Sequence, residues 1–357
     1  MKKRKIIIVT TALTNDGAER ILTQLSNEWI RLGHQVKILL IGKPTESSGY
    51  AVSDKIEIVN IYQPKKSRIG WYFKQIRALI RMLNKDKDAT VISFLSQSIY
   101  ILALCKPFIR NQIVFSERND PNRWPEGKLR KTARDLAFCV ADVCVYQTEE
   151  AKSYFPKAAK KHGIIIKNPC NSNLPERYTG ERKKTIITAC RLHNQKNIPM
   201  LLNAFKKLSA EFPDYCLEIC GQGEDKDKLV NLTHKLGLDD KVLFSGFVQD
   251  IHTKMRDCAM YVCSSDYEGI SNSMLEALGM GIPTISTDCP IGGAREMIES
   301  GKNGILVPVG DSDAMCNAMR QVINDPTLAE KLATEAYNVR NDYNITKIAK
   351  QWIRIMR

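Results

Sequence analysis

The sequence predicts an α/β protein with two doubly wound domains, whose parallel sheets face a central cleft. Three observations predict this fold class: short β-branched apolar runs alternate with helical patterns, the runs lack apolar–polar alternation, and one break interrupts the series. Strands that are buried on both faces of a parallel sheet have such continuous apolar runs. The length of 357 residues exceeds one ordinary core and favours two domains.

The first domain is expected to span residues 1–167. Helical stretches lie between its apolar runs, and one of them, residues 18–32, ends at Gly33, a favourable helix C-cap. The predicted strands of this domain are residues 5–10, 36–41, 55–61, 89–95, 112–116, 143–147 and 163–166.

A break in the series separates the two domains. Residues 167–175 contain two prolines and three asparagines, which favour neither helix nor strand, so we expect a linker over residues 168–184. The second domain then covers residues 185–340, and residues 341–357 form a C-terminal helix that could pack back on the first domain. The predicted strands of the second domain are residues 185–189, 216–220, 242–245, 260–263, 283–286 and 305–307.

The net charge of +14 is unevenly distributed along the chain. Residues 1–170 contain 30 Lys and Arg against 15 Asp and Glu, whereas residues 171–357 contain 23 against 24. The excess therefore belongs to the first half, and it suggests an anionic partner, either nucleic acid or a membrane surface. A hydrophobic content of 43% excludes a collagen-like or wholly disordered chain, and the eleven cysteines lack the Cys-x-x-Cys spacing of redox or zinc sites.

Ligands of doubly wound sheets bind at the carboxyl ends of strands, so the strand-to-helix loops are the candidate sites. After the first strand, Gly17 begins a helix whose N–H groups could hold a phosphate, although an ordinary turn explains it equally well. In the first loop of the second domain, Arg191 and Lys196 could converge on a diphosphate or be merely solvated. Gly221 and Gly223, one strand later, permit a ligand's close approach or form a plain turn.

The most specific motif is EGISNSMLEA, residues 268–277, which follows a predicted strand and runs into a helix. Glu268 precedes the helix, and Glu276 lies about one turn inside it. Ser271 and Asn272 add hydroxyl and amide groups between them. Carboxylates beside a helix N-terminus suit a polyol, since they accept hydrogen bonds from sugar hydroxyls while the N–H groups hold phosphate. The alternatives are a capping acid for Glu268 and a solvated helix residue for Glu276.

With its neighbours, this motif resembles the retaining glycosyltransferases of family 4, whose hallmark is Glu-x7-Glu. The resemblance covers nearly the whole chain and is densest over residues 185–310. It implies a GT-B fold, which consists of two Rossmann-like domains. The other matching segments are Arg191 with Lys196, Ser245-Gly246-Phe247, Gly279-x-Gly281-x-Pro283, Asp288 to Arg295-Glu296, Gly301-x-x-Gly304-Ile305, Gly17-Ala18-Glu19-Arg20 and Gly33-His34-x-Val36.

The resemblance implies a catalytic end of the donor site. Arg191 and Lys196 would neutralise the donor diphosphate, and Glu268 would accept hydrogen bonds from hydroxyls of the donor sugar. The N–H groups of Ser271 and Asn272 would contact the sugar or the β-phosphate. No metal cofactor is required on this interpretation, because the two cations supply the positive charge, although a divalent cation is not excluded.

The resemblance also implies a nucleoside end of the same site. Glu276 would bind the ribose hydroxyls, and Gly246 and Phe247 would border the base. Gly17 would close over the phosphates from the other domain. Retention of configuration in this family is attributed to attack on the face that the nucleotide leaves, through an oxocarbenium-like ion pair, so no carboxylate nucleophile is needed.

The sequence departs from the family on the acceptor side. Many relatives have a histidine near the reacting sugar, after a late strand of the first domain. Residues 114–121 contain none here. Glu117, Arg118 and Asn119 are therefore the candidates to face the acceptor hydroxyl, and the sequence does not distinguish among them.

Residues 65–85, KKSRIGWYFKQIRALIRMLNK, predict a basic amphipathic helix. Such a helix with exposed aromatic side chains is typical of a membrane surface, and the basic residues 128–134 could add to it. The alternative is an ordinary helix that packs on its own domain and has a solvated basic face. The predicted apolar stripe is Ile69, Tyr72, Phe73, Ile76, Ile80 and Leu83. The predicted membrane-facing residues are Lys74, Arg77, Arg81 and Lys85, with Trp71 outside the apolar stripe.

The sequence thus predicts a hexosyltransferase that moves a sugar from a UDP-hexose or UDP-N-acetylhexosamine to a lipid-linked or membrane-associated saccharide. It would form an α-linkage in surface-glycan biosynthesis, at the inner face of the cytoplasmic membrane as a peripheral protein, without binding nucleic acid. One alternative is a nucleotide-sugar epimerase of similar fold, which would convert the donor without an acceptor. The other is a basic nucleic-acid-binding protein, although the chain has no recognisable nucleic-acid module.

Overall fold

The structure is a computed structural model that describes residues 3–13, 17–43, 51–63, 68–94 and 96–357. Contacts within the chain divide it into two compact units. The first unit comprises Met1–Pro169 together with Ile345–Arg357, and the second comprises Cys170–Asn344. The boundaries predicted at 167 and 341 lie a few residues before these divisions.

The first unit contains a doubly wound parallel sheet. Within the described residues its strands are β1 (Lys5–Thr10), β2 (Gln35–Leu40), β3 (Glu57–Asn60), β4 (Thr90–Ser93), β5 (Gln112–Ser116), β6 (Val143–Tyr146) and β7 (Gly163–Ile165). All pairings are parallel, in the order β3-β2-β1-β4-β5-β6-β7. The order reverses between β1 and β4, and ligands of such sheets bind at that switch point. Its helices are α1 (Gly17–Arg31), α2 (Arg68–Leu83), α3 (Ser96–Cys105), α4 (Lys128–Cys139), α5 (Glu149–Tyr154) and α6 (Lys157–Lys161).

The second unit repeats this architecture with a parallel sheet in the order β10-β9-β8-β11-β12-β13. The strands are β8 (Lys183–Ala189), β9 (Cys216–Cys220), β10 (Val242–Gly246), β11 (Cys258–Cys263), β12 (Thr284–Thr287) and β13 (Ile305–Val307). The helices are α7 (Ile198–Glu211), α8 (Lys226–Lys235), α9 (Ile251–Met255), α10 (Asn272–Gly279), α11 (Ser312–Asn324), α12 (Pro326–Tyr337) and α13 (Val339–Asp342). A last helix, α14 (Ile345–Arg354), returns to the first unit.

Each sheet is buried on both faces, which explains why its strands read as continuous apolar runs. In β1, Ile6 and Ile8 belong to one apolar core, whereas Ile7 and Val9 belong to another. Helices α1 and α14 cover the first of these cores, and α2, α3 and α4 cover the second. In the second unit, neighbouring residues of β8 likewise enter opposite cores. The predicted strands and the doubly wound fold class are therefore confirmed.

The C-terminal helix α14 packs against α1 of the first unit through an aromatic cluster. Trp352 is fully buried, and its ring lies 6.3 Å from Trp29 and 5.4 Å from Phe94 between centroids. The indole N–H of Trp29 donates to the carbonyl oxygen of Ala349 at 3.2 Å. The end of the chain thus completes a core that begins with the first helix.

Among the described residues, no helix has both the length and the apolar character needed to cross a bilayer. The eleven cysteines all lie in the described part of the chain and form no disulfide, and Cys216 alone among them is exposed.

We expect Trp352→Ala to destabilise the first unit by about 3–5 kcal/mol, because it opens a large cavity in a core that α14 shares with α1. Urea unfolding followed by tryptophan fluorescence measures this loss. Leu129→Ala is the control, since the Leu129 side chain is exposed and its truncation should cost less than about 0.5 kcal/mol. An unchanged midpoint for Trp352→Ala would show that α14 does not contribute to that core.

Candidate active site

The site in the second unit lies at the carboxyl ends of two neighbouring strands. Strands β8 and β11 pair in parallel, so the loops that follow them meet at one edge of the sheet. The backbone N–H of Asp266 donates to the carbonyl oxygen of Gln195 at 2.9 Å. The hydroxyl of Ser264 donates to the carbonyl oxygen of Lys196 at 2.8 Å. These bonds join the loop that carries Arg191 and Lys196 to the loop that carries Glu268.

The centre of the site is an ion pair between Lys196 and Glu268. The Lys196 ammonium donates to Oε1 of Glu268, and the amide of Gln195 donates to Oε2 at 2.6 Å. The same amide also donates to the carbonyl oxygen of Tyr267 at 2.8 Å. Only 17% of the Lys196 side chain and 14% of the Glu268 side chain are exposed. The Glu268 carboxylate thus accepts from two donors and is largely shielded from water. Its electrostatic interactions are stronger there than in bulk solvent.

Lys196 remains a cation in this environment. Burial lowers the pKa of its ammonium, but the Glu268 carboxylate outweighs that effect, and the pKa ends above its ordinary value.

The geometry of the loop comes from Asn197, which has a φ of +41°, in the left-handed region that Asn tolerates better than most residues. Its side chain caps α7 by accepting from the N–H of Met200 at 3.2 Å and donates to Asp266 at 2.6 Å.

Gly221 and Gly223 are required for packing. A Cβ atom at Gly221 would lie 1.8 Å from the carbonyl oxygen of Cys190, and one at Gly223 would lie 2.1 Å from that of Leu192. The N–H of Leu192 donates to the carbonyl oxygen of Gln222 at 2.8 Å. These glycines therefore let the loop after β9 pack against the loop that carries Lys196. Of the two interpretations of these glycines, a turn or a ligand's close approach, the contacts favour the structural one.

The start of α10 follows Glu268 closely. Ser271 is the buried residue before the helix, and Asn272, its first residue, is half-buried. A Cβ atom at Gly293 would lie 2.0 Å from the carbonyl oxygen of Gly269, so a second loop packs tightly on this turn. The helix start, with its N–H groups and positive dipole end, is thus fixed beside the ion pair.

Glu276 lies in the fifth position of α10 and pairs with a histidine that the sequence analysis missed. The Nε2 atom of His252 lies 3.1 Å from Oε2 of Glu276, and only 5% of the Glu276 side chain is exposed. His252 is 24 positions earlier in the chain and has no carboxylate at helical spacing that would have marked it. Gln195 was missed for a similar reason, since a glutamine beside a lysine carries no distinctive pattern.

The remaining predicted donor residues border the same end of the sheet. Gly246 ends β10 with a φ of +64°, where the register to β9 shifts, and Phe247 after it is exposed. Arg191 is exposed at the start of its loop. The neighbouring His193 accepts from the N–H of Gln195 at 3.2 Å through Nδ1 and so organises the turn.

In the first unit, Gly17 is the first residue of α1, and residues 14–16 of its predicted phosphate loop lie outside the described residues.

On the predicted acceptor side of the first unit, Glu117 follows β5. Its Oε1 atom accepts from the backbone N–H groups of Arg118 at 3.0 Å and Asn119 at 3.1 Å. Burial raises the pKa of Glu117 to about 7, and the nearby charge of Arg134 limits the rise.

Arg118 and Arg134 hold this acceptor-side loop in place. The Arg118 guanidinium carbon lies 4.3 Å from the Phe94 ring centroid and 5.3 Å from that of Trp352, and Nη1 donates to Asn168 at 2.9 Å. Burial lowers the pKa of Arg118 to about 9, so it stays charged at neutral pH. Arg134 is fully buried and donates to the carbonyl oxygen of Pro121 at 3.0 Å. These contacts give both arginines a structural role, while an acceptor role for Glu117, Arg118 or Asn119 stays a prediction.

Comparisons with known proteins indicate the class of enzyme. The family model described as "Glycosyl transferases group 1" matches residues 173–339, which include the whole Lys196–Glu268 site. The chain is a glycosyltransferase. It is 27% identical, over 95% of its length and 96% of the relative's, to an uncharacterized glycosyltransferase of Haemophilus influenzae. It is 23% identical, over 99% of its length and 98% of the relative's, to a Campylobacter jejuni α-1,4-N-acetyl-D-galactosaminyltransferase.

Solved structures confirm the GT-B fold of this glycosyltransferase. HepE of Anabaena, in complex with UDP and glucose, superposes with a TM-score of 0.83 at 18% identity and covers 98% of both chains. A TarM mutant of S. aureus, in complex with fondaparinux, α-GlcNAc-glycerol and UDP, superposes with a TM-score of 0.85 at 13% identity, over 99% of this chain and 100% of that chain.

The structure of helix α2 contradicts the prediction for one residue of the membrane-facing set. Trp71, which we expected to face a membrane, has only 3% of its surface exposed and packs in the core with Leu79 and Leu83. Lys74, Arg77, Arg81 and Lys85 are exposed. Residues 65–67 of the predicted helix lie outside the described residues.

The buried polar residue Gln75 explains this correction. Its Oε1 accepts from the N–H of Gln63 at 3.1 Å and its Nε2 donates to the carbonyl oxygen of Ile61 at 3.2 Å. Because the backbone after β3 satisfies Gln75, this residue turns inward with Trp71, and Phe73 turns outward with 71% of its surface exposed. The apolar pattern alone places Gln75 outside and Phe73 inside.

Among the described residues, no group of three or more His, Cys, Asp or Glu side chains could hold a metal ion.

The pKa of Glu117 predicts a pH-dependent stability. The folded state retains the Glu117 proton up to about pH 7, whereas the unfolded state releases it near 4.5. The unfolded state therefore binds fewer protons between these values, and stability falls as the pH rises through that window, by about 3 kcal/mol in all. Glu117→Gln removes this loss because the amide stays neutral and its oxygen still accepts from the loop.

Urea unfolding of the wild type and of Glu117→Gln at pH 5, 6, 7 and 8 measures the difference. The stability of the wild type relative to the variant should decline steadily with pH. Parallel curves for the two proteins would contradict a buried Glu117 with a raised pKa.

Proposed function

We propose that the glycosyltransferase moves a hexose or N-acetylhexosamine from a UDP-sugar to a lipid-linked saccharide, as a retaining enzyme of the family 4 type in surface-glycan biosynthesis. The observation that carries this proposal is the buried Lys196–Glu268 pair at the ends of β8 and β11, with Gln195 on the same carboxylate. The complexes of HepE with UDP and UDP-glucose support a UDP-sugar donor.

The charges of the site match the parts of a nucleotide-sugar. Lys196 stays cationic when buried, so it can bind a diphosphate oxygen, and the exposed Arg191 at the start of the same loop can supply a planar fork for a second. Glu268 accepts hydrogen bonds and so suits hydroxyls of the sugar. The N-terminus of α10, three to four residues further on, adds N–H groups for the β-phosphate. Groups that bind phosphate and groups that bind sugar hydroxyls are thus adjacent in this site.

The proposed reaction is a substitution at the anomeric carbon with retention. The bond from that carbon to the β-phosphate oxygen breaks, and its electron pair leaves with UDP. The acceptor hydroxyl oxygen bonds to the same face of the carbon, and its proton passes to the departing phosphate oxygen. Lys196 and Arg191 stabilise the charge that develops on the diphosphate. The scheme needs no resident metal ion, and we expect turnover to persist in excess EDTA.

The lipid-linked acceptor rests on the relatives. The Campylobacter jejuni protein is named for an acceptor of two N-acetylgalactosamine residues on diNAcBac-PP-undecaprenol, and a second relative from that organism is also named for a diphospho-undecaprenol acceptor. Both relatives are named for α-linked products. The similarity covers 99% of this chain in each case and supports an acceptor of the same chemical class.

We expect Glu268→Ala and Glu268→Gln to lower kcat/KM by about 10²–10³, because each removes the carboxylate that orients the donor sugar. Glu268→Gln preserves the shape of the side chain and the contact with Gln195, so the variant should still fold, with a lowered melting temperature because Lys196 loses its charged partner. Turnover with a panel of UDP- and GDP-sugars and a lipid-linked acceptor extract measures the effect.

The matched control is Glu299→Gln. Glu299 is an exposed carboxylate that pairs with Lys302 at 2.8 Å, as Glu268 pairs with Lys196, but it lies outside the site. Its loss should leave turnover unchanged. Undiminished turnover in folded Glu268→Gln would refute the site, and conversion of the donor without any acceptor would favour an epimerase.

We further propose that the protein binds the inner face of the cytoplasmic membrane through the first unit. Helices α2, α3 and α4 lie side by side over one face of the first sheet. Exposed basic residues occur on α2 and on α4, where Lys128, Arg130 and Lys131 are exposed or half-buried. Each such residue near an anionic leaflet contributes about 1 kcal/mol to binding.

Large apolar side chains project from the same three helices. Phe73 on α2 is 71% exposed, and Leu129 on α4 is 88% exposed. Leu104 on α3 and Leu136 on α4 are also exposed. Apolar side chains among basic ones suit the boundary between lipid headgroups and acyl chains, whereas binding to nucleic acid phosphates needs the charges alone.

Co-sedimentation with vesicles tests this surface. The wild type should bind vesicles that contain phosphatidylglycerol and should not bind pure phosphatidylcholine. The triple variant Lys74→Glu, Arg77→Glu, Arg81→Glu should bind at least about 100-fold more weakly. The double variant Phe73→Ala, Leu129→Ala retains the charge and should bind about tenfold more weakly, because it loses apolar insertion.

The control is a charge reversal of three exposed lysines in the second unit, Lys206, Lys226 and Lys235, which should leave binding intact. Equal losses in the two triple variants would contradict a specific surface. A gel shift with DNA but no vesicle binding would favour the nucleic-acid alternative.

A further inference from the structure

His252 and Glu276 form a buried pair in the second unit. Their facing atoms, Nε2 and Oε2, lie 3.1 Å apart, and 17% of the His252 side chain and 5% of the Glu276 side chain are exposed. A carboxylate with so little contact with water is costly to bury unless a donor satisfies it. The His252 imidazole faces this carboxylate as an ion-pair partner when it is protonated, and it is therefore placed to fix the orientation of the Glu276 carboxylate.

Helix α9 holds His252 in place although it has only five residues. Asp250 caps it by accepting from the N–H of Thr253 at 3.1 Å. Lys254 pairs at 2.6 Å with Glu218, a buried residue of β9. Met255 is buried in the apolar core that also contains Met274 and Leu275 of α10. Charged and apolar contacts thus set the position of α9 relative to the helix that carries Glu276.

We propose that His252 is a positioning residue of the donor site, which holds the Glu276 carboxylate ready to accept hydrogen bonds from the ribose hydroxyls of the nucleotide. This inference rests on the proposed function, in which Glu276 binds the ribose. His252 acts through Glu276 and does not itself touch the reacting atoms. It affects how tightly the ribose is held, and it leaves the Lys196–Glu268 pair at the sugar end untouched.

His252 lies close in the chain to the residues proposed to border the base. It follows Gly246 and Phe247 by a few residues, and we propose that these two border the base. The segment from Phe247 to His252 therefore joins the base end of the site to the ribose end. A change at His252 should alter nucleotide affinity and donor KM while kcat changes little.

Calorimetric binding of UDP and of 2′,3′-dideoxyuridine diphosphate tests this assignment. His252→Ala should weaken UDP binding about tenfold, because Glu276 loses the imidazole that faces it, and should leave binding of the dideoxy nucleotide unchanged, because that ligand has no ribose hydroxyls. His252→Gln should recover most of the affinity, since its amide can donate to the same oxygen. In turnover assays His252→Ala should raise the donor KM about tenfold at nearly constant kcat.

A double variant separates positioning from general packing. In a Glu276→Ala background, His252→Ala should have no further effect on UDP affinity, because the group it positions is gone. His234→Ala is the matched control: His234 also pairs with a carboxylate, Asp239, at 3.2 Å, but on the exposed surface of α8. It should bind both nucleotides like the wild type.

The outcomes distinguish this inference from the function on which it rests. Wild-type protein that binds neither UDP nor GDP overturns the proposed function and the inference with it. Wild-type UDP binding that His252→Ala leaves intact, or that falls equally for UDP and its dideoxy analogue, overturns the role of His252 alone.

Discussion

The candidate site depends on one interaction, the largely buried ion pair between Lys196 and Glu268. A pair with so little exposure is stable only if its geometry is fixed and further hydrogen bonds satisfy it, since removing two charges from water is costly. The surrounding structure meets this condition. Asn197 adopts a left-handed conformation that turns the chain into α7, Gln195 donates to the second carboxylate oxygen, and Gly221 allows the neighbouring loop to approach within backbone contact. A ligand that engages the pair therefore meets groups that are already oriented.

The sequence predicted the sheets well because their strands are determined by burial. Both faces of the central strands are covered, so these strands are apolar runs, and the runs are short and separated by clear breaks. The candidate residues Lys196, Glu268 and Glu276 could be singled out because they belong to spaced motifs, and their roles stay predictions. What the sequence did not show were contacts between distant segments. The burial of Trp71 depends on a hydrogen bond from Gln75 to the strand end at Ile61, and no periodicity within α2 contains that information.

The two units satisfy their buried charges in different ways. In the second unit, Lys196 and Glu268 face each other at the loop edge, where a ligand with both phosphate and hydroxyl groups can engage them. In the first unit, the carboxylate of Glu117 accepts from its own loop and lies 3.6 Å from the guanidinium of Arg134, which also donates to that loop's carbonyl oxygen at Pro121. The groups around Glu117 thus shape a loop. Burial outweighs the charge of Arg134 there, so the pKa of Glu117 is raised.

The excess of basic residues in the first half of the chain bears on the nature of the acceptor. Donor binding needs few cations, and the second unit, residues 170–344, contains 19 basic residues against 24 acidic ones. The excess of the first half is not explained by the donor. A soluble anionic acceptor or a nucleic acid would account for the charge, but neither would account for Phe73 and Leu129, which are exposed among the basic residues. Apolar and basic groups on one surface are stable together where a lipid headgroup region covers them. The surface of α2, α3 and α4 therefore favours an acceptor that lies in a membrane, and the same surface would bring the enzyme to it.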